Sequence, residues 1–185
     1  GSGLHKRLMQ WESPFGLGFP GWHIECSTMA IKGLDTESLD IHTGGIDHIA
    51  IHHTNEIAQS EAATGQQFVK YWVHHNFLHV DGNKMSKSIG NIYTVEDVVK
   101  KGFDPLAFRL MVLQSHYRSQ SNFTWDGIEA AQNLLKRLYA MADLRFQPQD
   151  IDSWLDTDTS INSIENEMRD DLKSPIALRF LAGLS

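Results

Sequence analysis

Cysteine is nearly absent from this sequence: Cys26 is the single one in 185 residues. No disulfide can close within the chain, so its thiol is structural, reactive or metal-bound. Long apolar runs are missing as well. No stretch is long enough for a membrane-spanning helix, and no charged start leads into an apolar signal segment, so the expected location is cytoplasmic. Basic residues are in deficit, with 16 Lys and Arg against 23 Asp and Glu and a formal net charge of −7. That balance excludes a protein that grips nucleic acid through overall charge and leaves local patches to be read. What is present is enough apolar side chain, 41% of residues, for one sizeable core or a core with a small satellite. Histidine is plentiful at ten, which favours a metal among the options for Cys26.

Gly1, Ser2 and Gly3 read as an artificial or cut end and carry no fold signal. Residues 13–21, SPFGLGFPG, hold the glycines and prolines of a loop that lets backbone approach a ligand. A helix is expected over 22–31. ESLDIHTGG reads as a short buried strand, with Leu39 and Ile41, ending in a glycine pair, and in α/β folds that strand edge is where ligands sit. Helical pattern resumes at 52–63, and a second short helix is predicted around Val69–Trp72. Phe77–Val80 is a strand candidate, followed by a DGN turn and the basic loop KMSKSIGN. Thr94 with Asp97 three residues on is a helix start, and that helix stops at Gly102. Asp104 and Pro105 open the next, expected to bury Leu106, Leu110 and Leu113. A longer helix from Trp125 to Leu144 places Ile128, Ala131, Leu135 and Leu138 on one stripe. Residues 147–163 read as an acidic linker, and Ser174 with Pro175 begins a last apolar helix. Strand signals are confined to the first half, so the fold class is α/β: an incomplete α/β layer followed by helices.

Three places carry chemistry: Cys26 within GWHIEC, HHTNE at 52–56, and KMSKS at 84–88. On a helix His52 and Glu56 are one turn apart, so an imidazole nitrogen and a carboxylate oxygen can converge on one cation, while His53 points elsewhere. Taken alone, such a pair is an ordinary solvated helix face, and a lone cysteine an ordinary small core residue. In KMSKS two lysines flanked by serines have little apolar content to pack. The loop is either a solvated turn or a phosphate site, in which Lys84 and Lys87 neutralise charge growing on a departing pyrophosphate.

Together PGWHIECSTMA, DIHTGGIDHIAIHHTNEIAQSEA, NFLHVDGNKMSKSIGN, DPLAFRLMVLQSHYR and DDLKSPIAL resemble the class I cysteinyl-tRNA synthetases, from about Arg7 to the chain end. The resemblance implies an incomplete Rossmann-like catalytic domain over 4–93, a helical stem-contact region over 94–146, and the linker and start of an anticodon-side helical domain over 147–185. It implies one zinc ion in the amino-acid pocket held by Cys26, His52 and Glu56, with a further cysteine ligand that this sequence does not contain. Trp22, His42 and Asp47 match positions lining the amino-acid pocket. Gly44 and Gly45 match the loop on which the adenylate packs, and Lys87 matches the ATP-binding lysine, Lys84 and Lys87 acting together in catalysis. Cysteine, ATP with Mg²⁺, and tRNA(Cys) are the implied substrates and partners, with no membrane, and a monomer is expected. The family's other ATP signature, a histidine pair at a helix N-terminus, is also missing, so this segment alone is expected to be inactive.

A zinc ion answers a selection problem, because a pocket using shape alone separates a thiol from a hydroxyl only about 100-fold. A thiol of pKa about 8.5 loses its proton readily to the metal and forms a bond of about 2.3 Å, which serine's far weaker acid cannot match. Lys100, Lys101, Arg109, Arg118, Lys136 and Arg137 are candidates for tracking RNA phosphates, or are ordinary surface charge. Three other readings stay open: a related ligase joining cysteine to an amino-sugar inositol, a hydrolase with Cys26 as nucleophile and His23 or His42 as base, and an inactive tRNA-binding module.

Overall fold

Trp11 and Gly18 exchange backbone hydrogen bonds of 2.8 and 3.0 Å, and Gly16 turns the chain between them at φ +102°, a conformation that strains any other residue. Residues 13–21 are therefore the loop that their composition predicts. In this computed structural model, residues 9–146 and 157–183 are described. The chain divides into two compact units, Gly1–His74 and His75–Ser185.

In the first unit, helix α1 (Trp22–Leu34) ends at Asp35, which is left-handed at φ 51°. Strand β1 (Leu39–Gly45) runs into a 3₁₀ turn (Ile46–His48), a π-helical turn (Ile49–His53) and helix α2 (Thr54–Thr64). Strand β2 (Val69–His75) pairs with β1. Leu39, Phe68 and Val69 are buried, with Ala30, Ile31 and Trp72 packed against them, so the core lies between α1 and the two strands.

The helix predicted around Val69–Trp72 is thus a strand. Its run VKYWVHH is rich in β-branched and aromatic residues, which suit a pleated surface. Strand period puts Trp72 and His74 on one face, where their rings stack 5.9 Å apart.

In the second unit, β3 (Leu78–Val80) pairs antiparallel with β4 (Asn83–Lys84) and parallel with β5 (Ser121–Phe123). Asp81 and Gly82, at φ 48° and 76°, make the tight turn between β3 and β4, the Asp-Gly pair being suited to two successive positive φ values. Helices α3 (Val95–Lys100), α4 (Pro105–Leu113) and α5 (Trp125–Asp143) follow the expected starts. Thr94 and Asp97 form a reciprocal capping box, Asp104 caps α4 through Leu106 N–H, and Thr124 caps α5 through Gly127 N–H. Ile128, Ala131 and Leu135 are buried along α5, with Leu138 packed beside them.

On α4 the buried residues are Ala107, Leu110 and Met111, whereas Leu106 and Leu113 are exposed. Met111 packs with Val80, Val98, Phe123 and Ile128, while Ala107 and the expected Leu110 pack with Leu135 on α5. Helices α6 (Thr157–Arg169) and α7 (Ser174–Gly183) complete the unit. Helix α6 occupies the end of the stretch expected to be linker, because SINSIENEM carries apolar residues at helical spacing. The rest of that stretch, 147–156, lies outside the described residues. Among the described residues no helix is long and apolar enough to cross a membrane.

Candidate metal centre and phosphate-binding loop

Helix α1 carries Cys26, the π-helical turn carries His52, and the first turn of α2 carries Glu56. The Sγ of Cys26, a ring nitrogen of His52 and a carboxylate oxygen of Glu56 lie within 4.8 Å of one another. With bonds of about 2.0–2.3 Å, a tetrahedral metal ion holds its donors roughly 3.5 Å apart. Small side-chain rotations would bring this soft sulfur, imidazole and carboxylate set into bonding range. Glu56 is fully buried. Its Oε2 takes His42 Nε2 at 3.0 Å, while its Oε1 is buried with no hydrogen-bond partner among the described residues. A buried carboxylate oxygen with nothing to accept is costly unless a cation meets it, so the residues fit a metal ion.

His53 does not point elsewhere. Its Nε2 lies 3.7 Å from Glu56 Oε2, beside His52 Nε2 at 3.9 Å. Residues three and four apart are both neighbours on a helix surface, so these consecutive histidines flank one carboxylate. His53 is buried against Trp72 and His74, its Nδ1 sharing a 2.7 Å hydrogen bond with His74 Nε2. Burial first, then the neighbouring His42, His74, His48 and His52, lower its pKa to about 4 and keep it neutral. His42, His53 and Glu56 also bring their donor atoms within 4.8 Å. The sequence signals for His48, His53 and His74 were the histidine count and, for His74, the strand alternation in VKYWVHH.

Burial, then Glu56 and Glu25, raise the Cys26 pKa, the opposite of what activates a nucleophile. The candidate bases are engaged otherwise, His23 Nδ1 with Gln59 Nε2 at 2.7 Å and His42 with Glu56. Gly44 lies against the cluster: a Cβ there would meet His53 Cε1 at 2.5 Å and His48 Nδ1 at 2.9 Å. Gly45 is buried at the end of β1. Trp22 and Asp47 are exposed, and among the described residues neither has a hydrogen bond or ion pair to this cluster.

In the second unit, Lys84 ends β4 with its ammonium 5.6 Å from the Phe77 ring centroid. Met85 packs on the core, and beyond it the chain turns tightly, Ser86 C=O accepting from Ile89 and Gly90 N–H at 3.2 and 3.1 Å. Lys87 is exposed on that turn and forms no ion pair among the described residues. Of the candidate RNA-tracking residues, Lys100 pairs with Glu96 at 3.0 Å, Lys101 covers the Trp125 ring at 4.0 Å, and Arg118 is held by Asp171.

Over 95% of its length the chain superposes, with a TM-score of 0.66 and 17% identity, on 29% of the LeuRS in a LeuRS–tRNA–LeuAMS ternary complex from Agrobacterium radiobacter K84. It has the fold of part of an aminoacyl-tRNA synthetase. The model of the family described as "tRNA synthetases class I (C) catalytic domain" matches residues 4–133, and the chain belongs to that family. It is 53% identical over 137 residues to the cysteine–tRNA ligase of Treponema denticola, covering 74% of this chain and 28% of that protein. It is 46% identical over 172 residues to that of Protochlamydia amoebophila, covering 91% of this chain and 36% of that protein. The chain therefore spans about a third of the length of the curated relatives it matches.

Proposed function

We propose that this chain is part of a cysteine–tRNA ligase, activating cysteine with ATP and Mg²⁺ and transferring it to tRNA(Cys). The observation that carries the reading is the convergence of Cys26, His52 and Glu56, whose donor atoms lie within 4.8 Å of one another, on a glutamate that is fully buried. In this reading those three residues hold a zinc ion, which supplies a site for the thiolate of cysteine that a serine hydroxyl does not match. His42 donates to Glu56 Oε2 and holds the carboxylate that would help to bind the metal. Trp22 and Asp47 contact the amino acid. Gly44 and Gly45 keep the end of β1 free of side chains so that the adenylate packs on backbone. Lys87, with Lys84, offers positive charge to the pyrophosphate as it leaves, while the substrate carboxylate attacks the α-phosphorus. Residues 4–93 form the catalytic part, 94–146 the stem-contact helices and 147–185 the start of the anticodon-side region.

The full-length enzyme carrying this segment tests the reading. Cysteine, and not serine, is expected to drive ATP–pyrophosphate exchange, and Cys26→Ser or His52→Ala to lower the zinc content of the purified protein. Zinc content unchanged in both variants would overturn the metal assignment.

A further inference from the structure

The basic loop is closed by a side chain beyond its last lysine. Asn91 is half-buried, and its amide reaches back along the chain with both ends: Oδ1 accepts from Ser86 N–H at 2.8 Å, and Nδ2 donates to Lys84 C=O at 3.2 Å. An amide offers an acceptor and donors on one planar group, so one residue satisfies a backbone donor and a backbone acceptor on either side of Met85. Met85 is packed on the core. Gly90, at φ 72°, brings the chain back, and its N–H meets Ser86 C=O at 3.1 Å. The Ser86 and Ser88 hydroxyls add a 2.7 Å bond across the turn. Every backbone polar group of Ser86 is engaged, while the adjoining Lys87 is exposed.

We propose that Asn91 is a positioning residue for Lys87: it clasps Lys84 and Ser86, sets the turn before nucleotide arrives, and so presents the Lys87 ammonium from a fixed base. This rests on the phosphate-binding reading of the loop. Asn91 touches no phosphate, and its effect passes through the backbone it holds. Presetting the turn removes an ordering cost from the step in which Lys87 meets charge, and small misplacements of a charged group are costly in rate.

The test compares Asn91→Ala, Asn91→Asp and Lys87→Ala in the full-length enzyme, reading hydrogen exchange at the Ser86 amide and cysteine-dependent ATP–pyrophosphate exchange. Aspartate keeps the acceptor for Ser86 and loses the donor to Lys84. Alanine loses both. The expected result is Ser86 exchange at least about tenfold faster in Asn91→Ala and nearly unchanged in Asn91→Asp. Adenylate formation falls by roughly 10- to 100-fold in both, with KM for cysteine and zinc content unchanged. Unaltered Ser86 protection in Asn91→Ala overturns the clasp. Lost protection with full adenylate formation makes Asn91 a brace alone and overturns its positioning role. Full activity in Lys87→Ala instead overturns the phosphate reading of the loop, and the proposal with it. Should the alanine variant fail to fold, the aspartate variant decides on activity: a loss supports the proposal and full activity overturns it.

Discussion

Arg118 and Asp171 form a two-pronged ion pair within the second unit, Nε to Oδ2 at 2.7 Å and Nη2 to Oδ1 at 3.0 Å. Tyr117 donates its hydroxyl to the same carboxylate, and His116 Nε2 bonds the Asp171 carbonyl at 2.8 Å. Asp171 and Leu172 both have positive φ, 55° and 52°, at the corner between α6 and α7. The HYR that follows α4 thus holds the corner in the DDLKSPIAL segment, linking two of the sequence blocks.

That clamp has a pH signature. The Arg118 guanidinium first, and the Tyr117 hydroxyl second, lower the Asp171 pKa from 3.8 to about 2. A carboxylate with a depressed folded pKa stabilises fully above its unfolded value, and this contribution is lost as pH falls through the folded value. Urea unfolding of wild type and Asp171→Asn from pH 5 to 2 is expected to show the wild type more stable at pH 5. The gap should narrow between pH 4 and 2. A gap independent of pH would refute the clamp.

Gly44→Ala places a Cβ 2.5 Å from a His53 ring atom in packed surroundings. The expected loss of stability is about 1–3 kcal/mol, with reduced zinc content because His53 flanks Glu56. Thermal unfolding and metal analysis of the same preparation check both parts.

His42→Ala removes the donor that orients Glu56. Loss of such an outer partner typically lowers metal affinity about 10- to 100-fold, to be measured by competition with a chelator. His42→Gln, which can still donate, should lose less. Equal affinity in wild type and His42→Ala would return His42 to the amino-acid pocket alone.

Lys87→Ala is expected to slow adenylate formation by roughly 100-fold or more, as for other groups that meet developing charge, and to leave zinc content as it was. Pre-steady-state formation of pyrophosphate, set beside metal analysis, separates the two effects.

Local chemistry explains what the sequence makes legible. Thr94, Asp104 and Thr124 act through neighbours a few residues away, so the helix starts are readable from the chain itself. Cys26, His52 and Glu56 are assembled from two helical segments, and the resemblance to a family, not their spacing, joined Cys26 to the other two. Val69–Trp72 misleads because a short apolar run has no clear period until its partner strand is known. Leu106 and Leu113 mislead because α4 has apolar residues on nearly every side, so its neighbours decide which face is covered. His53 sits three residues from Glu56, a spacing that a regular helix also brings together, and Asn91 bonds to backbone, which leaves no pattern in composition.

The π-helical turn at Ile49–His53 makes the length of this stretch as constrained as its chemistry. Deleting one residue would restore ordinary winding there and change how His52 and His53 are presented toward Cys26 and Glu56. A shortened chain could then keep every donor residue and still lose the site, so insertions and deletions here are a harsher trial of the centre than replacing any one side chain.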